Sequence, residues 1–113
     1  MDMVINSDTF RLLHRYVRPM SVSVFLAMVA IRIEKGVPKG QPVPISIQEI
    51  TNFLQCSPTT VNTAIFDLEG SPRQKKSDVD PLKFIEVIRR PEGSANNVPN
   101  QYIIYEDMPD AIK

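Results

Sequence analysis

Residues 45–69 read ISIQEITNFLQCSPTTVNTAIFDLE, and two helix-start signals lie inside that stretch. Ser46 to Glu49 (SIQE) is a capping box: the serine oxygen accepts from the backbone N–H of Glu49, and the glutamate reaches back to the serine N–H. The short helix it opens puts Ile47, Ile50 and Leu54 on one face and breaks at Gln55-Cys56. Ser57-Pro58 then restarts a helix, with serine as N-cap and proline at the first helical position, where its missing N–H costs nothing. The second helix runs to about Leu68 and turns Val61, Ile65 and Leu68 inward. Two short amphipathic helices joined by a tight turn follow from these signals alone.

Working toward the amino terminus, VPKGQPVP (37–44) carries three prolines and a glycine and is a loop. A short extended piece at Val43 to Ile45 ends it and could pair with later strands. Before it, the pattern predicts a helix from Ser21, as N-cap, to about Lys35, with Gly36 as its stop. Val22, Phe25, Met28, Val29 and Ile33 make its core face, yet Val24, Leu26, Ala27 and Ile31 leave the opposite side apolar. Such a helix must be covered on more than one side, by the preceding helix or by a second copy of the chain. That preceding helix is expected over Thr9 to Arg18, capped by Asp8 and ended by Pro19, with Phe10, Leu13 and Val17 at helical spacing. Arg11, His14, Arg15 and Arg18 fall largely on its other side, as a solvated polar face or as an arm that touches phosphate.

Toward the carboxyl terminus, KFIEVIRR (83–90) and QYIIYE (101–106) are rich in β-branched and aromatic residues and predict two strands. PEGSANNVPN (91–100) between them suits a long hairpin tip. Asn96, Asn97 and Asn100 read as turn formers.

Taken with that hairpin, residues 45–69 resemble the helix-turn-helix core of bacterial and phage DNA-binding proteins, in which a capped helix, a small turn residue, a serine, Thr-Val and a closing leucine recur. Ser46, Glu49, Ile50, Leu54, Ser57, Thr60, Val61, Ala64, Ile65 and Leu68 fall on that pattern. The resemblance implies an α+β winged helix-turn-helix domain: a three-helix core with an extra amino-terminal helix and a carboxy-terminal β-hairpin wing. One domain over 1–113 is expected, with a helical extension at 1–19, the trihelical core at 20–69, a loop at 70–82 and the wing hairpin at 83–106. Asn100-Gln101-Tyr102 at the start of the return strand, together with the apolar first core helix, is similar to the amino-terminal domains of plasmid and phage replication initiators and related regulators. Residues 20–106 carry that similarity. The chain ends soon after the wing, so it could be the amino-terminal domain of a longer initiator.

The family geometry implies that the second helix of the unit enters the major groove of double-stranded DNA. Thr59, Thr60, Asn62, Thr63 and Phe66 are its outward positions. Threonine hydroxyls suit phosphates or bases, and Asn62 suits a bidentate contact with adenine. Ser57 sits at the helix start, where backbone amides receive a phosphate. One departure stands out: residues 41–72 contain no lysine or arginine, whereas Glu49, Asp67 and Glu69 are present. Positive charge must then come from Arg73, Lys75 and Lys76 just past the helix, and from Arg89 and Arg90 near the tip, with Lys83 on the same strand. Solvated loop and strand-end positions are the alternative reading of both clusters. Phe66 packs on its own domain, contacts thymine, or marks a surface for a protein partner.

Composition narrows the function classes. The 113 residues carry zero formal net charge and 42% hydrophobic residues, which excludes a polycation and argues for a real core. One histidine (His14) and one cysteine (Cys56) cannot assemble a Cys/His zinc site or an intramolecular disulfide. Cys56 reads as a small buried residue, no glycine-rich phosphate loop occurs, and no enzyme, metal or cofactor is expected. The amino terminus lacks a secretory pattern, and Val22 to Ile33 is too short to span a bilayer, so the expectation is a cytoplasmic protein without a membrane partner. The leading expectation is sequence-specific DNA binding, as a transcriptional regulator or a replication-origin module, with a homodimer reading two half-sites. The alternative is a winged-helix module that binds protein at Phe66.

Overall fold

The computed structural model describes residues 6–70, 82–91, 93 and 98–107. Four helices and three strands follow in the order α1 (Ser7–Tyr16), α2 (Pro19–Glu34), β1 (Val43–Pro44), α3 (Ile47–Leu54), α4 (Pro58–Leu68), β2 (Ile85–Ile88) and β3 (Gln101–Ile104). The fold is α+β, with an antiparallel sheet in the order β1-β3-β2. In its register, Tyr102 lies opposite both Val43 and Val87, and Ile85 opposite Ile104. Pro44 is tolerated because β1 is an edge strand, with no ladder partner beyond it among the described residues.

The central pair of helices forms as its local signals dictate. Ser46 and Glu49 make both bonds of the capping box, at 3.0 Å each. Gln55 ends α3 in the left-handed conformation (φ 57°), donating its N–H to the Thr51 carbonyl. Ser57 Oγ then accepts from the Thr60 N–H at 3.2 Å, with Pro58 opening α4. Val61, Ala64, Ile65 and Leu68 are buried, and Ile50 anchors α3 in the same core. Cys56, in the turn, is half-buried rather than buried.

Both amino-terminal helices start elsewhere than their sequence predicts. Asn6, not Asp8, caps α1, accepting from the N–H groups of Asp8 and Thr9. Phe10, expected on the buried face with Leu13 and Val17, is exposed against His14, at a centroid distance of 5.0 Å, while Leu13 and Val17 are buried. Pro19 both stops α1 and opens α2 at its first helical position. Ser21 therefore lies inside α2 and is buried; it caps nothing. Gly36, at φ 70°, follows the C-cap as foreseen. Apolar residues all round α2 are covered by α1, α3, α4 and β3 of the same chain, so no second copy is needed for that burial.

The strands are shorter than the β-rich runs suggest. Lys83, Arg89 and Arg90 flank β2 instead of lying in it, and Tyr105 and Glu106 follow β3. Phe84 still enters the core, edge-on to Phe25 at 6.4 Å. Its N–H donates to the Leu68 carbonyl at 2.8 Å, tying the hairpin to the end of α4.

Beneath this packing lies a buried ionic network. Arg32 and Glu106 are 7% and 2% exposed; Arg32 Nη2 donates to Glu106 Oε1 at 3.0 Å and Nε to Oε2, while Nη1 reaches the Val37 carbonyl at 2.7 Å. Thr9 Oγ1 donates to the Glu106 carbonyl at 2.7 Å, so α1, α2 and the end of β3 meet at one point.

Glu49 gives a pH prediction. Partial burial pushes its carboxyl up, but the Ser46 N–H, the Lys35 ammonium (Nζ–Oε2 2.9 Å) and the Ser46 hydroxyl together outweigh this and hold its pKa below the ordinary 4.5. A depressed carboxylate stabilises the fold above its unfolded pKa and loses that contribution as pH falls through the folded value. Glu49→Gln keeps a capping side chain without charge. It is expected to cost about 0.3–0.5 kcal/mol at neutral pH after solvent screening. In urea titrations the difference from the wild type should begin to shrink near pH 4.5 and vanish only once the pH lies below the lowered folded value; a constant difference would contradict it.

Candidate nucleic-acid interface

α4 is held by its inner side, on α2 and α3, and offers its outer side to solvent. Ser57, Thr59, Asn62, Thr63 and Phe66 are exposed, and Thr60 is half-buried because it faces the start of α2. Their readiness for a ligand differs. Ser57 Oγ and Thr60 Oγ1 lie 2.9 Å apart within the cap, and Thr63 Oγ1 donates to the Thr59 carbonyl at 3.0 Å. The Asn62 amide has no hydrogen bond among the described residues, which leaves its donors and acceptor for a partner. Phe66 is 56% exposed, so packing on its own domain covers less than half of it.

A cleft borders α4 on each side. One, of about 260 Å³, runs between Arg18, Met20 and Ser21 at the start of α2 and Ser57, Thr59 and Thr63 of α4. The other, of about 190 Å³, is shared by Asn62, Phe66 and Glu69 with Val87, Arg89 and Asn100 at the base of the hairpin. Arg89 and Arg90, neighbours in sequence, separate here. Arg89 faces α4, where its Nη2 meets Glu69 Oε1 at 3.1 Å. Arg90 lines a third cleft with Ser46 and Val98 and donates from Nη1 to the Val98 carbonyl at 3.2 Å. Asn100 is structural: its Oδ1 accepts from the Arg90 N–H at 2.9 Å and closes the hairpin base. Arg73, Lys75 and Lys76 lie outside the described residues, as do Asn96 and Asn97.

The three acids of residues 41–72 are each engaged by the fold. Glu49 completes the capping box and pairs with Lys35. Glu69 pairs with Arg89. Asp67 is 1% exposed, and its Oδ2 accepts from the Ser21 hydroxyl at 2.7 Å and the Arg18 N–H at 3.1 Å. The exposed ridge of α4 itself, from Thr59 to Phe66, is therefore neutral.

Two residues that shape this surface escape a local reading of the sequence. Asp67 caps α2 from another helix, and Arg18 borders α4 although it lies far from it in sequence. A faint signal exists for both: arginine before proline at a helix start is a poor cap, so the cap must come from elsewhere.

Among the described residues no group of His, Cys, Asp and Glu side chains could hold a metal ion, and no helix is long and apolar enough to cross a membrane. Comparison with known protein families, curated proteins and solved structures finds no match for this chain.

Proposed function

We propose that the chain is a winged helix-turn-helix domain that binds double-stranded DNA, with α4 as recognition helix and the β2–β3 hairpin as wing, acting as a transcriptional regulator or a replication-origin module. The observation that supports this best is the neutral, exposed Thr59–Asn62–Thr63 ridge, bordered by arginines on both sides. Eleven residues of α4 extend about 16 Å, and a helix of that kind fits a major groove about 12 Å wide. Asn62 reads adenine, the threonine methyls meet thymine, and Arg89, Arg90 and the side chains of Arg73, Lys75 and Lys76 hold phosphates. A phosphate that approaches Arg89 takes the place of Glu69, an exchange between exposed ion pairs that costs little.

Fluorescence anisotropy with random-sequence duplex across a salt series tests this. Micromolar binding is expected, with a salt slope implying roughly three to six neutralised phosphates. Changing Arg73, Lys75 and Lys76 together to alanine should weaken it about tenfold and flatten the slope. No binding at low salt would overturn the DNA reading. Phe66, large and 56% exposed, favours a protein-binding module as the second reading; Phe66→Ser would then abolish capture of that partner while leaving the fold intact.

A further inference from the structure

We infer that Arg18, at the junction of α1 and α2, is the phosphate anchor on the side of α4 away from the hairpin, an assignment that rests on the DNA-binding reading above. Ser57, Thr60, Ala64 and Asp67 recur at helical spacing down one side of α4, and the start of α2 lies along that side. The Arg18 N–H is fixed to buried Asp67, so the backbone from which its side chain springs cannot drift relative to α4. Its side chain is exposed and lines the open cleft with the Ser57, Thr59 and Thr63 side chains. Among the described residues no other charged residue lines that cleft. Among the described residues no carboxylate pairs with the Arg18 guanidinium, whereas Arg89 across the helix is paired with Glu69. A planar cation at the rim of a cleft whose described lining carries hydroxyls and no acid matches a phosphodiester, whose two non-bridging oxygens accept its parallel N–H groups.

With α4 in the major groove, one DNA backbone runs on each side of the helix. Arg89 lies toward the backbone on the hairpin side. Arg18 meets the opposite one, supplying from a distant part of the chain the positive charge that residues 41–72 lack. Of the four basic side chains of the α1 region, Arg18 alone lines the α4 cleft, and Arg11, His14 and Arg15 do not.

The test uses the whole chain, random-sequence duplex and three variants: Arg18→Gln, Arg18→Lys and, as a control for net charge, Arg15→Gln. Arg18→Gln retains the backbone N–H that Asp67 binds, so thermal unfolding should match the wild type. It is expected to weaken binding about two- to fivefold at 0.1 M salt and to lower the magnitude of the salt slope by about 0.9, one phosphate contact. Arg18→Lys should recover the slope, and Arg15→Gln should leave it unchanged. Wild-type binding with an unaltered slope in Arg18→Gln overturns the anchor and leaves the DNA reading standing. An equal loss in Arg15→Gln also overturns it, since the effect would then be bulk charge. Absence of wild-type binding at low salt overturns both.

Discussion

Arg32→Ala is expected to destabilise the fold by about 3–5 kcal/mol, a large share of the roughly 5–15 kcal/mol that holds a small domain together. The cost arises from what remains behind. Glu106 is 2% exposed, and without the guanidinium its carboxylate keeps no counter-charge in a place that water does not reach. The Val37 carbonyl loses its 2.7 Å donor at the same time. Arg32→Met combined with Glu106→Leu should be far milder than either change to alanine, because replacing both ends of a buried pair by apolar side chains avoids the stranded charge. Urea denaturation of Arg32→Met, Glu106→Leu and their double variant measures this as a coupling energy. A loss below about 1 kcal/mol for Arg32→Ala would mean that the pair is open to solvent, where such pairs are worth that little. Glu106→Gln offers a gentler probe should Arg32→Ala fail to fold, since it removes the charge and keeps an acceptor for Arg32.

That network also marks the boundary of what the sequence discloses. Ser46 with Glu49, and Ser57 with Pro58, are legible because each pair closes its bonds within one helical turn; the residues that decide the conformation are the ones printed side by side. The inward set Val61, Ile65 and Leu68 is legible for the same reason, as a periodicity. Arg32 and Glu106 are 74 residues apart, and Ser21 and Asp67 are 46 apart. In sequence Arg32 merely interrupts an apolar run, and Glu106 merely ends a strand. The same locality misplaces the helix starts. Asn6 and Asp8 are both good caps two residues apart, and no local signal says that Asn6 makes the capping bonds. Ser21 looks like a cap until Pro19 takes the first helical position and draws it inside.

The candidate surface was legible to the same degree as its elements. Thr59, Asn62, Thr63 and Phe66 project outward because the buried spacing of α4 leaves them no alternative. Their surroundings depend on tertiary contacts that no local pattern encodes: Arg89 turns to α4 and Arg90 away from it, although the two are adjacent. Counting acids in the sequence likewise overstates the negative character of α4. Asp67 contributes to that count, yet it faces inward, toward the positive end of α2.

Asp67→Ala is accordingly expected to cost about 2–4 kcal/mol, although the residue stands on the helix proposed to read DNA. Arg18 holds the N-cap position of α2, where its own side chain makes no capping bond, and Pro19 has no N–H to offer. Asp67 therefore does from α4 what the N3 glutamate of a capping box does elsewhere: it takes the N-cap N–H and sets a negative charge at the helix start. Loss of a cap costs about 1 kcal/mol, and stranding the buried Ser21 hydroxyl adds about 1–3 kcal/mol. Asp67→Asn retains an acceptor and forfeits mainly the charge–dipole attraction, about 0.3–1 kcal/mol. The pairing with Ser21 makes the mechanism separable from simple loss of packing. In a cycle of Asp67→Ala and Ser21→Ala, the double variant should be more stable than the sum of the singles predicts by more than about 0.5 kcal/mol, because Ser21→Ala removes the group that Asp67→Ala strands. Additivity within that margin would show that Asp67 acts through volume alone. The same carboxylate fixes the lie of α4 across α2, so Asp67→Ala should also weaken DNA binding in the fraction that stays folded, whereas Asp67→Asn should bind as the wild type does. Equal binding by both variants would separate the cap from the geometry of the interface.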